Sequence, residues 1–354
     1  MSTIAVRVDA SVQLGIGHVM RCITLTRMLV QVLDTSITFV CNDDLPAEMA
    51  EMIQQYGYHL RRIAVPKDES VYSWEQDAEQ TIACLSEQSI DWLIVDHYQL
   101  DQHWERELRP YTGHILVIDD LANRVHDCDA LLDQNLHPSM YSRYEALVKP
   151  DCRLFIGPAY ILLRPEFVKY REQRQSVEHC RHILINFGGS DPTHETERLV
   201  QLLRRLSFEG AMPTFHIVAG PANARREQVK QLCSNMPQII YYDQANMAEL
   251  LVHTDLAIGA GGITMWERCF MGVPSAVIIV ADNQIESVQE AERLELIWNL
   301  GKSNEVDEER LIRFLTEAIH HVEMLQQQQQ HCMNFIPDRK QGLHPIVEYI
   351  KGEL

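Results

Sequence analysis

Long apolar segments are missing from this chain of 354 residues. Its longest apolar runs, such as residues 276–281, have the length of a strand and fall far short of the roughly 20 residues that cross a bilayer. Near the N-terminus, Arg7 and Asp9 lie inside the stretch that would have to form the apolar core of a signal peptide. The sequence therefore predicts a soluble cytosolic protein without an export signal.

Cysteine pairs and metal-binding motifs are also missing. None of the nine cysteines forms a C-x-x-C pair, which favours reduced thiols in a cytoplasm over a disulfide framework or a zinc site. The chain has no H-E-x-x-H motif, no D-x-D sequence beside the end of a strand and no carboxylate cluster that would coordinate magnesium around a diphosphate. We therefore expect neither a metal nor a cofactor.

Basic side chains are scarce relative to acidic ones. The chain has 31 Lys and Arg against 50 Asp and Glu, a formal net charge of −19. This balance disfavours nucleic acids and anionic membrane surfaces as partners. A small ligand that carries phosphate would have to be held by local dipoles, because the global field opposes it. The sequence leaves the oligomeric state open.

Apolar strand-like runs alternate with helix-like ones along most of the chain. This order predicts an α/β protein, and its length favours two doubly wound, Rossmann-like domains. We place the N-terminal domain at residues 1–165, a connector at 166–179, the second domain at 180–325 and a C-terminal extension at 326–354. The predicted strands are residues 4–8, 37–41, 60–63, 92–96, 115–119, 130–133, 154–156, 182–187, 215–219, 239–242, 256–259 and 276–280.

The C-terminal region carries weaker signals. Residues 306–325 predict one amphipathic helix, and residues 345–351 predict a terminal helix that packs back on the body of the protein. Between them, residues 326–330 are a run of glutamines that could extend the helix or loop out. We assign that run no function.

A glycine-rich loop with a histidine follows the first predicted strand. Its sequence, G-I-G-H, leads into a helical pattern, so free backbone N–H groups and His18 should meet at a helix N-terminus. The positive end of the helix dipole would keep His18 neutral near pH 7, as a general base requires. Alternatively, the glycines only turn the chain and His18 caps or packs. A dinucleotide fingerprint fits poorly, because Met20 replaces its third glycine.

Two further glycine-rich turns lie in the second predicted domain. They contain Gly188 and Gly189 after one predicted strand, and Gly261 and Gly262 after another. Both turns should bring backbone N–H groups to the carboxyl edge of one sheet, where a diphosphate would be a natural occupant. The alternative is that the glycines only allow close packing of strand and helix.

The order and spacing of these motifs resemble those of a known family. The sequence contains R-x-D at residues 7–9, G-x-G-H-x-x-R at 15–21, D-H-Y at 96–98, G-G-S-D at 188–191, and a glycine-rich segment from Gly261 to Glu267 followed by N-Q at 283–284. Together they resemble the UDP-2,4-diacetamido-2,4,6-trideoxy-β-L-altropyranose hydrolases of pseudaminic acid biosynthesis, from the N-terminus to about residue 300. That resemblance implies a GT-B arrangement of the two domains with the active site in the interdomain cleft.

The same resemblance implies a reaction and its residues. The family hydrolyses the UDP-sugar to UDP and free 2,4-diacetamido-2,4,6-trideoxy-L-altrose, cleaving the anomeric C–O bond with inversion and without a metal. His18 would be the catalytic base, Glu267 would bind the ribose, Asn283 would lie near the nucleotide or sugar, and Tyr98 would contact the sugar or order the water. The substrate-binding residues so implied are Arg7, Asp9, Gly15, Gly17, Arg21, Asp96, His97, Tyr98, Gly188, Gly189, Gly261, Gly262, Ile263, Glu267 and Asn283.

Several of these residues have structural alternatives. Asp96 and His97 could form a buried polar cluster that fixes the end of a strand. Glu267 could be a surface residue on a helix, and Asp9 could cap the loop or orient Arg7 or His18.

Two other functions are compatible with the sequence. A glycosyltransferase on this scaffold would use His18 to deprotonate an acceptor hydroxyl, and a non-catalytic protein would only bind the nucleotide sugar.

Overall fold

The computed structural model describes residues 1–10, 17–64, 72–86, 89–206, 212–336 and 343–354. Gly15 and the other residues from 11 to 16 lie outside the described residues. The chain divides into two compact units. Unit 1 comprises Met1–Leu162 and Gln341–Leu354, and unit 2 comprises Leu163–Lys340.

Unit 1 is built on a parallel sheet whose central strands are buried on both faces. Its strand order is β3-β2-β1-β4-β5-β6-β7. Each of the seven strands overlaps a predicted one. Covered parallel strands read as short apolar runs, whereas the edge strand at residues 59–63 contains two arginines and is largely exposed. The strands are β1 (Ser2–Val8), β2 (Thr35–Asn42), β3 (His59–Ile63), β4 (Ile90–Asp96), β5 (Thr112–Ile118), β6 (Ala130–Asp133) and β7 (Arg153–Ile156).

Helices cover both faces of this sheet. Ile4 and Val6 of β1 pack in one core with α1, α2 and α13, whereas Ala5 packs in a second core with α3 and α4. The predicted terminal helix is confirmed as α13, since Ile346 and Ile350 join the first core. The helices of unit 1 are α1 (Gly17–Val30), α2 (Ala47–Gln55), α3 (Trp74–Leu85), α4 (Gln102–Leu108) and α13 (Pro345–Gly352).

Unit 2 repeats the doubly wound plan with a sheet of order β10-β9-β8-β11-β12-β13. Five of its strands were predicted, and the sixth, β13, was not. It contains Asn299, Gly301 and Lys302, so it lacks the apolar run that marked the other strands. The strands are β8 (His182–Asn186), β9 (Thr214–Val218), β10 (Ile239–Tyr242), β11 (Leu256–Ala260), β12 (Ser275–Ile279) and β13 (Trp298–Lys302).

The helices of unit 2 include one from the segment that we predicted as a connector, residues 166–179. The single helix predicted over residues 306–325 is wrong: two helices meet at His321, whose φ of −121° and ψ of 76° are not helical. The helices are α5 (Pro165–Arg171), α6 (Glu195–Leu203), α7 (Arg226–Cys233), α8 (Met247–Val252), α9 (Ile263–Phe270), α10 (Ile285–Arg293), α11 (Glu308–His320) and α12 (Val322–Phe335).

The glutamine run belongs to α12 and has a structural role. Gln328 accepts a hydrogen bond from the backbone N–H of Ser275 at 2.6 Å. Gln329 accepts one from Val177 at 3.0 Å and donates one to the carbonyl of Gln175 at 2.9 Å. Because an amide both donates and accepts, these side chains satisfy buried backbone groups that an apolar helix face would leave unpaired.

Candidate active site

The candidate site of unit 1 lies at the carboxyl end of its sheet. The strand order reverses between the paired strands β1 and β4, and open α/β sheets bind their ligands at such a point. Asp9 comes just after β1, Asp96 ends β4 and Asp120 comes just after β5. Helix α1 begins at Gly17 and carries His18 in its first turn. The topology thus gathers side chains that are far apart in sequence.

His18 is fixed by Asp96. Its Nδ1 atom lies 2.5 Å from Oδ1 of Asp96 and 3.0 Å from Nη2 of Arg21. Only one of these contacts can be a hydrogen bond that uses the Nδ1 proton, and the carboxylate is the acceptor, because a guanidinium has no lone pair to offer. The ring therefore donates from Nδ1 and keeps Nε2 as an acceptor. A carboxylate holds a histidine in the same tautomer in catalytic triads.

Asp96 is buried and charged. Burial would raise the pKa of this carboxyl, but the guanidinium of Arg21 and the ring of His18 more than offset that effect and hold its pKa well below the usual range. Arg21 donates from Nε to Oδ2 at 2.5 Å and from Nη2 to Oδ1 at 2.6 Å. This bidentate pair keeps both oxygens of Asp96 in place.

The ring of Tyr98 packs against the ring of His18. The two rings meet edge to face, with centroids 4.7 Å apart and planes at 89°. The Tyr98 hydroxyl donates to Oδ2 of Asp120 at 3.4 Å, and Nη1 of Arg21 lies 3.2 Å from the same oxygen. Asp120 was not among our predicted residues, although its position beyond an apolar strand was a usable signal. It links Tyr98 to Arg21.

Arg7 and Asp9 belong to a second buried network. The Arg7 side chain is fully buried, and it donates to Asp9 from Nη1 at 2.5 Å and to Asp77 from Nη2 at 2.6 Å. Burial opposes the charge on Asp9, yet Arg7 and His97 hold the pKa of that carboxyl well below its usual range. Asp77, in α3, was missed because its sequence context is that of an ordinary helix residue.

His97 connects this network to the end of β4. The backbone N–H of Gln99 donates to its Nδ1 atom at 3.2 Å, so that Nε2 carries the proton and donates to Oδ2 of Asp9 at 3.0 Å. Asp9 also accepts a hydrogen bond from the backbone N–H of Asn42 at 2.8 Å. The network ties β1, β2, α3 and the loop after β4 together.

The first glycine-rich turn of unit 2 follows β8. Gly188 has a φ of +81°, which favours glycine, and its N–H donates to the side chain of Asn186 at 3.3 Å. The carbonyls of Gly188 and Gly189 pass so near Gly220 that a Cβ atom there would lie 2.2 Å from each. Asp191 accepts hydrogen bonds from Glu195 and Thr196, both at 2.9 Å, and so caps α6.

The second turn follows β11, the neighbour of β8, and leads into α9. The N–H of Gly261 donates to Oε1 of Gln284 at 3.2 Å, and Gly262 and Ile263 begin the helix. Asn283 is exposed in the turn Asp282–Gln284.

Glu267 lies in α9 and is almost fully buried. Its carboxylate accepts a hydrogen bond from Arg164 at 3.3 Å. Burial raises the pKa of this carboxyl, and Arg164 only partly opposes that effect. The surface position that we considered for Glu267 is therefore not what the structure shows.

Two kinds of feature are absent from the described residues as a whole. No helix among them is long and apolar enough to cross a membrane. No group of three or more His, Cys, Asp or Glu side chains in the same residues is arranged to hold a metal ion.

Comparison with known proteins relates the second part of the chain to glycosyltransferases. Residues 183–342 match the model of the glycosyltransferase family 28 C-terminal domain. The structure of MurG from Acinetobacter baumannii superposes with a TM-score of 0.68 at 12% identity, over 99% of this chain and all of that one. Arabidopsis thaliana UGT89C1 in complex with UDP superposes with a TM-score of 0.66 at 11% identity, over the full length of both chains. The fold is therefore that of the GT-B glycosyltransferases, with two Rossmann-like units.

The chain is also similar in sequence to other proteins. An uncharacterised protein of Methanocaldococcus jannaschii is 25% identical over 80% of this chain, which spans 56% of that protein's length. The spore coat polysaccharide biosynthesis protein SpsG of Bacillus subtilis is 27% identical over 86% of this chain and 85% of its own.

A third relative bears the name that the motifs suggested. The UDP-2,4-diacetamido-2,4,6-trideoxy-β-L-altropyranose hydrolase of Campylobacter jejuni is 24% identical over 78% of this chain and 92% of its own. The resemblance inferred from the motifs is therefore confirmed: the chain is similar to this hydrolase over most of its length.

Proposed function

We propose that the protein hydrolyses UDP-2,4-diacetamido-2,4,6-trideoxy-β-L-altropyranose to UDP and the free sugar. The observation that carries the proposal is the hydrogen bond between Nδ1 of His18 and Oδ1 of Asp96, at 2.5 Å. It leaves Nε2 as the proton acceptor of a histidine whose side chain is 11% exposed. A general base needs this combination of a fixed tautomer and access to its substrate.

The reaction needs one proton transfer. Water attacks the anomeric carbon as His18 Nε2 takes its proton, the bond from that carbon to the diphosphate oxygen breaks, and UDP leaves with the electron pair. The configuration at carbon inverts, because attack and departure occur on opposite faces. Asp96 stabilises the imidazolium that forms, and Arg21 keeps Asp96 charged and oriented.

The leaving group would be bound by unit 2. The N–H groups of Gly189, Gly262 and Ile263 have no acceptor in the part of unit 2 that the structure describes, and they lie in the two turns at the carboxyl ends of β8 and β11. Such donors stabilise the charge that develops on the diphosphate, so that no general acid is required. Glu267 is the candidate for the ribose hydroxyls, and Asn283 is proposed to lie near the nucleotide or sugar.

Arg7, Asp9 and His97 are proposed to act as positioning residues. Arg7 is fully buried between Asp9 and Asp77. His97 and Asp9 fix the loop that carries Tyr98, whose ring contacts His18. Their contribution is the placement of Tyr98, whose ring would border the sugar or the attacking water.

Release of UDP in the absence of any acceptor tests this proposal. The purified protein is mixed with the UDP-sugar in water enriched in oxygen-18, and the release of UDP is followed by chromatography. We expect UDP release with unlabelled UDP, because water attacks carbon. Labelled UDP would place the attack on phosphorus and contradict the proposed mechanism.

A glycosyltransferase is the second candidate. The match to the glycosyltransferase family 28 C-terminal domain favours it, and His18 would then deprotonate an acceptor hydroxyl. This function predicts no UDP release until an acceptor is added. The acceptor-free experiment therefore separates the two.

A further inference from the structure

Arg268 is a buried cation directly beneath the second glycine-rich turn. It follows Glu267 in α9 and is 2% exposed. Its guanidinium donates from Nη2 to the carbonyl of Ala260 at 2.8 Å, from Nε to the Ser275 hydroxyl at 3.2 Å and from Nη1 to the Thr264 hydroxyl at 3.3 Å. All three acceptors are neutral.

The charge of Arg268 has no partner in the described part of the chain. Glu267, its neighbour in sequence, is paired instead with Arg164 at 3.3 Å. Burial lowers the pKa of Arg268 to about 10, and Cys269 and Glu267 oppose that effect only in part, so the group is still protonated near pH 7. A buried charge without a counter-charge is costly, and proteins rarely keep one without a reason.

The surrounding backbone is built to make room for this group. A Cβ atom on Gly259 would lie 2.2 Å from the carbonyl oxygen of Asn186 and 2.8 Å from Nη1 of Arg268, so a side chain at that position would collide with both the neighbouring strand and the guanidinium. The bond to Ala260 also fixes the next peptide plane. Because the C=O and N–H of a trans peptide point in opposite directions, the N–H of Gly261 is directed away from Arg268 and donates to Oε1 of Gln284 at 3.2 Å.

We propose that Arg268 supplies the fixed positive charge that balances the diphosphate of the nucleotide at the turn Ala260 to Gly262. It acts as a positioning residue, through the Ala260 carbonyl and the Thr264 hydroxyl, and it does not touch the ligand. The Thr264 oxygen accepts a bond from Arg268, so its own proton is free to point to a phosphate oxygen. This inference rests on the proposed role of unit 2 in binding UDP.

A purely structural role for Arg268 predicts different behaviour. Its hydrogen bonds join β11, β12 and α9, and a neutral donor could make some of them. If only packing matters, a substitution of Arg268 lowers the affinity of unit 2 for all its ligands alike. If the charge matters, the loss of affinity is confined to ligands that carry phosphate.

Calorimetric titration of UDP, uridine and pyrophosphate separates these roles. The proteins compared are the wild type, Arg268→Gln, Arg268→Lys and the control Arg313→Gln, which removes the same charge from a side chain that is 71% exposed. We expect Arg268→Gln to weaken the binding of UDP and of pyrophosphate by about tenfold or more, whereas the affinity for uridine should change by less than about threefold. Arg268→Lys should retain most of the preference for UDP over uridine, and the control should retain all of it.

An unchanged preference in Arg268→Gln, or equal losses in the Gln and Lys variants, would overturn the inference. Should Arg268→Gln fail to fold, Thr264→Val tests whether Arg268 acts on the ligand through the hydroxyl of Thr264. Residue 264 is half-buried, and Thr264→Ser, which keeps the hydroxyl, is the control. The preference for UDP over uridine should fall in the valine variant and persist in the serine variant, and persistence in both would again overturn the inference. A wild type that binds pyrophosphate but neither nucleoside ligand would refute the proposed function and leave the role of Arg268 standing.

Discussion

The Nδ1 atom of His18 lies 2.5 Å from Oδ1 of Asp96, although the two residues are 78 positions apart. The contact exists because β1 and β4 are neighbours in a parallel sheet whose carboxyl ends coincide. It couples the first turn of α1 to the end of β4. A change at either residue should therefore alter the chemistry more than the fold.

Asp96→Asn tests the coupling between the two side chains. The amide can donate to Nδ1 of His18 and so favour the tautomer with its proton on Nε2, which cannot accept one from water. We expect kcat to fall by about a hundredfold or more, with a smaller change in KM. Steady-state kinetics measure both, and circular dichroism checks that the variant is folded. A variant with nearly full kcat would show that Asp96 does not set the tautomer.

Arg7→Met should destabilise the protein. The change leaves the buried carboxylates of Asp9 and Asp77 without their cation, a situation that costs about 3–5 kcal/mol. Denaturant unfolding measures the loss. Arg313→Met, on the surface and in an exposed pair with Glu309, should change the free energy of unfolding by no more than about 0.5 kcal/mol. Equal effects of the two substitutions would contradict the assigned role of Arg7.

Asp133 makes stability depend on pH in a predictable direction. Its side chain is fully buried, and burial raises its pKa to about 7. Between its ordinary pKa and about 7, the folded state binds more protons than the unfolded state, so this group reduces stability as the pH rises through that range.

Asp133→Asn removes this dependence. Relative to the wild type, the variant should gain about 1–3 kcal/mol in free energy of unfolding between pH 5 and pH 8. Denaturant unfolding of both proteins at both pH values gives the number. A constant difference between them would mean that Asp133 is already ionised at pH 5.

Gly261 and Gly262 are adjacent but should differ in their tolerance of a side chain. A Cβ atom at Gly261 would lie 2.3 Å from Cγ2 of Val288, whereas at Gly262 its nearest neighbour is Nε2 of Gln284 at 3.8 Å. Gly261→Ala should therefore lower the free energy of unfolding by about 1–3 kcal/mol. Gly262→Ala, the matched control, should change it by no more than about 0.5 kcal/mol. Equal stability of the two variants would contradict the close approach of Gly261 to Val288.

Much of the fold could be predicted because buried parallel strands leave a strong pattern. Most of the first twelve strands contain a run of apolar residues, and all twelve overlap a predicted strand. Strand β3 was found although it contains Arg61 and Arg62. Strand β13 has polar residues and Gly301 in place of such a run, so it was missed. The break at His321 was also missed, because the apolar residues of α11 and α12 continue at helical spacing across it.

The site was predictable where a short motif carried it. His18, Arg21, Asp96 and Tyr98 stand in two local motifs, and the structure brings all four together. The partners of such residues were harder to find. Asp120 joins the site only through the pairing of β4 with β5, which no local spacing encodes. Asp77 likewise depends on how α3 packs.

The role of His18 is tested most directly by the rate of UDP release from the UDP-sugar without an acceptor, in the wild type and in His18→Ala. We expect turnover by the wild type and none by the variant, while UDP binds both proteins with nearly equal affinity, because the nucleotide is assigned to unit 2. A variant that keeps most of the wild-type rate would contradict the assignment of His18 as the base.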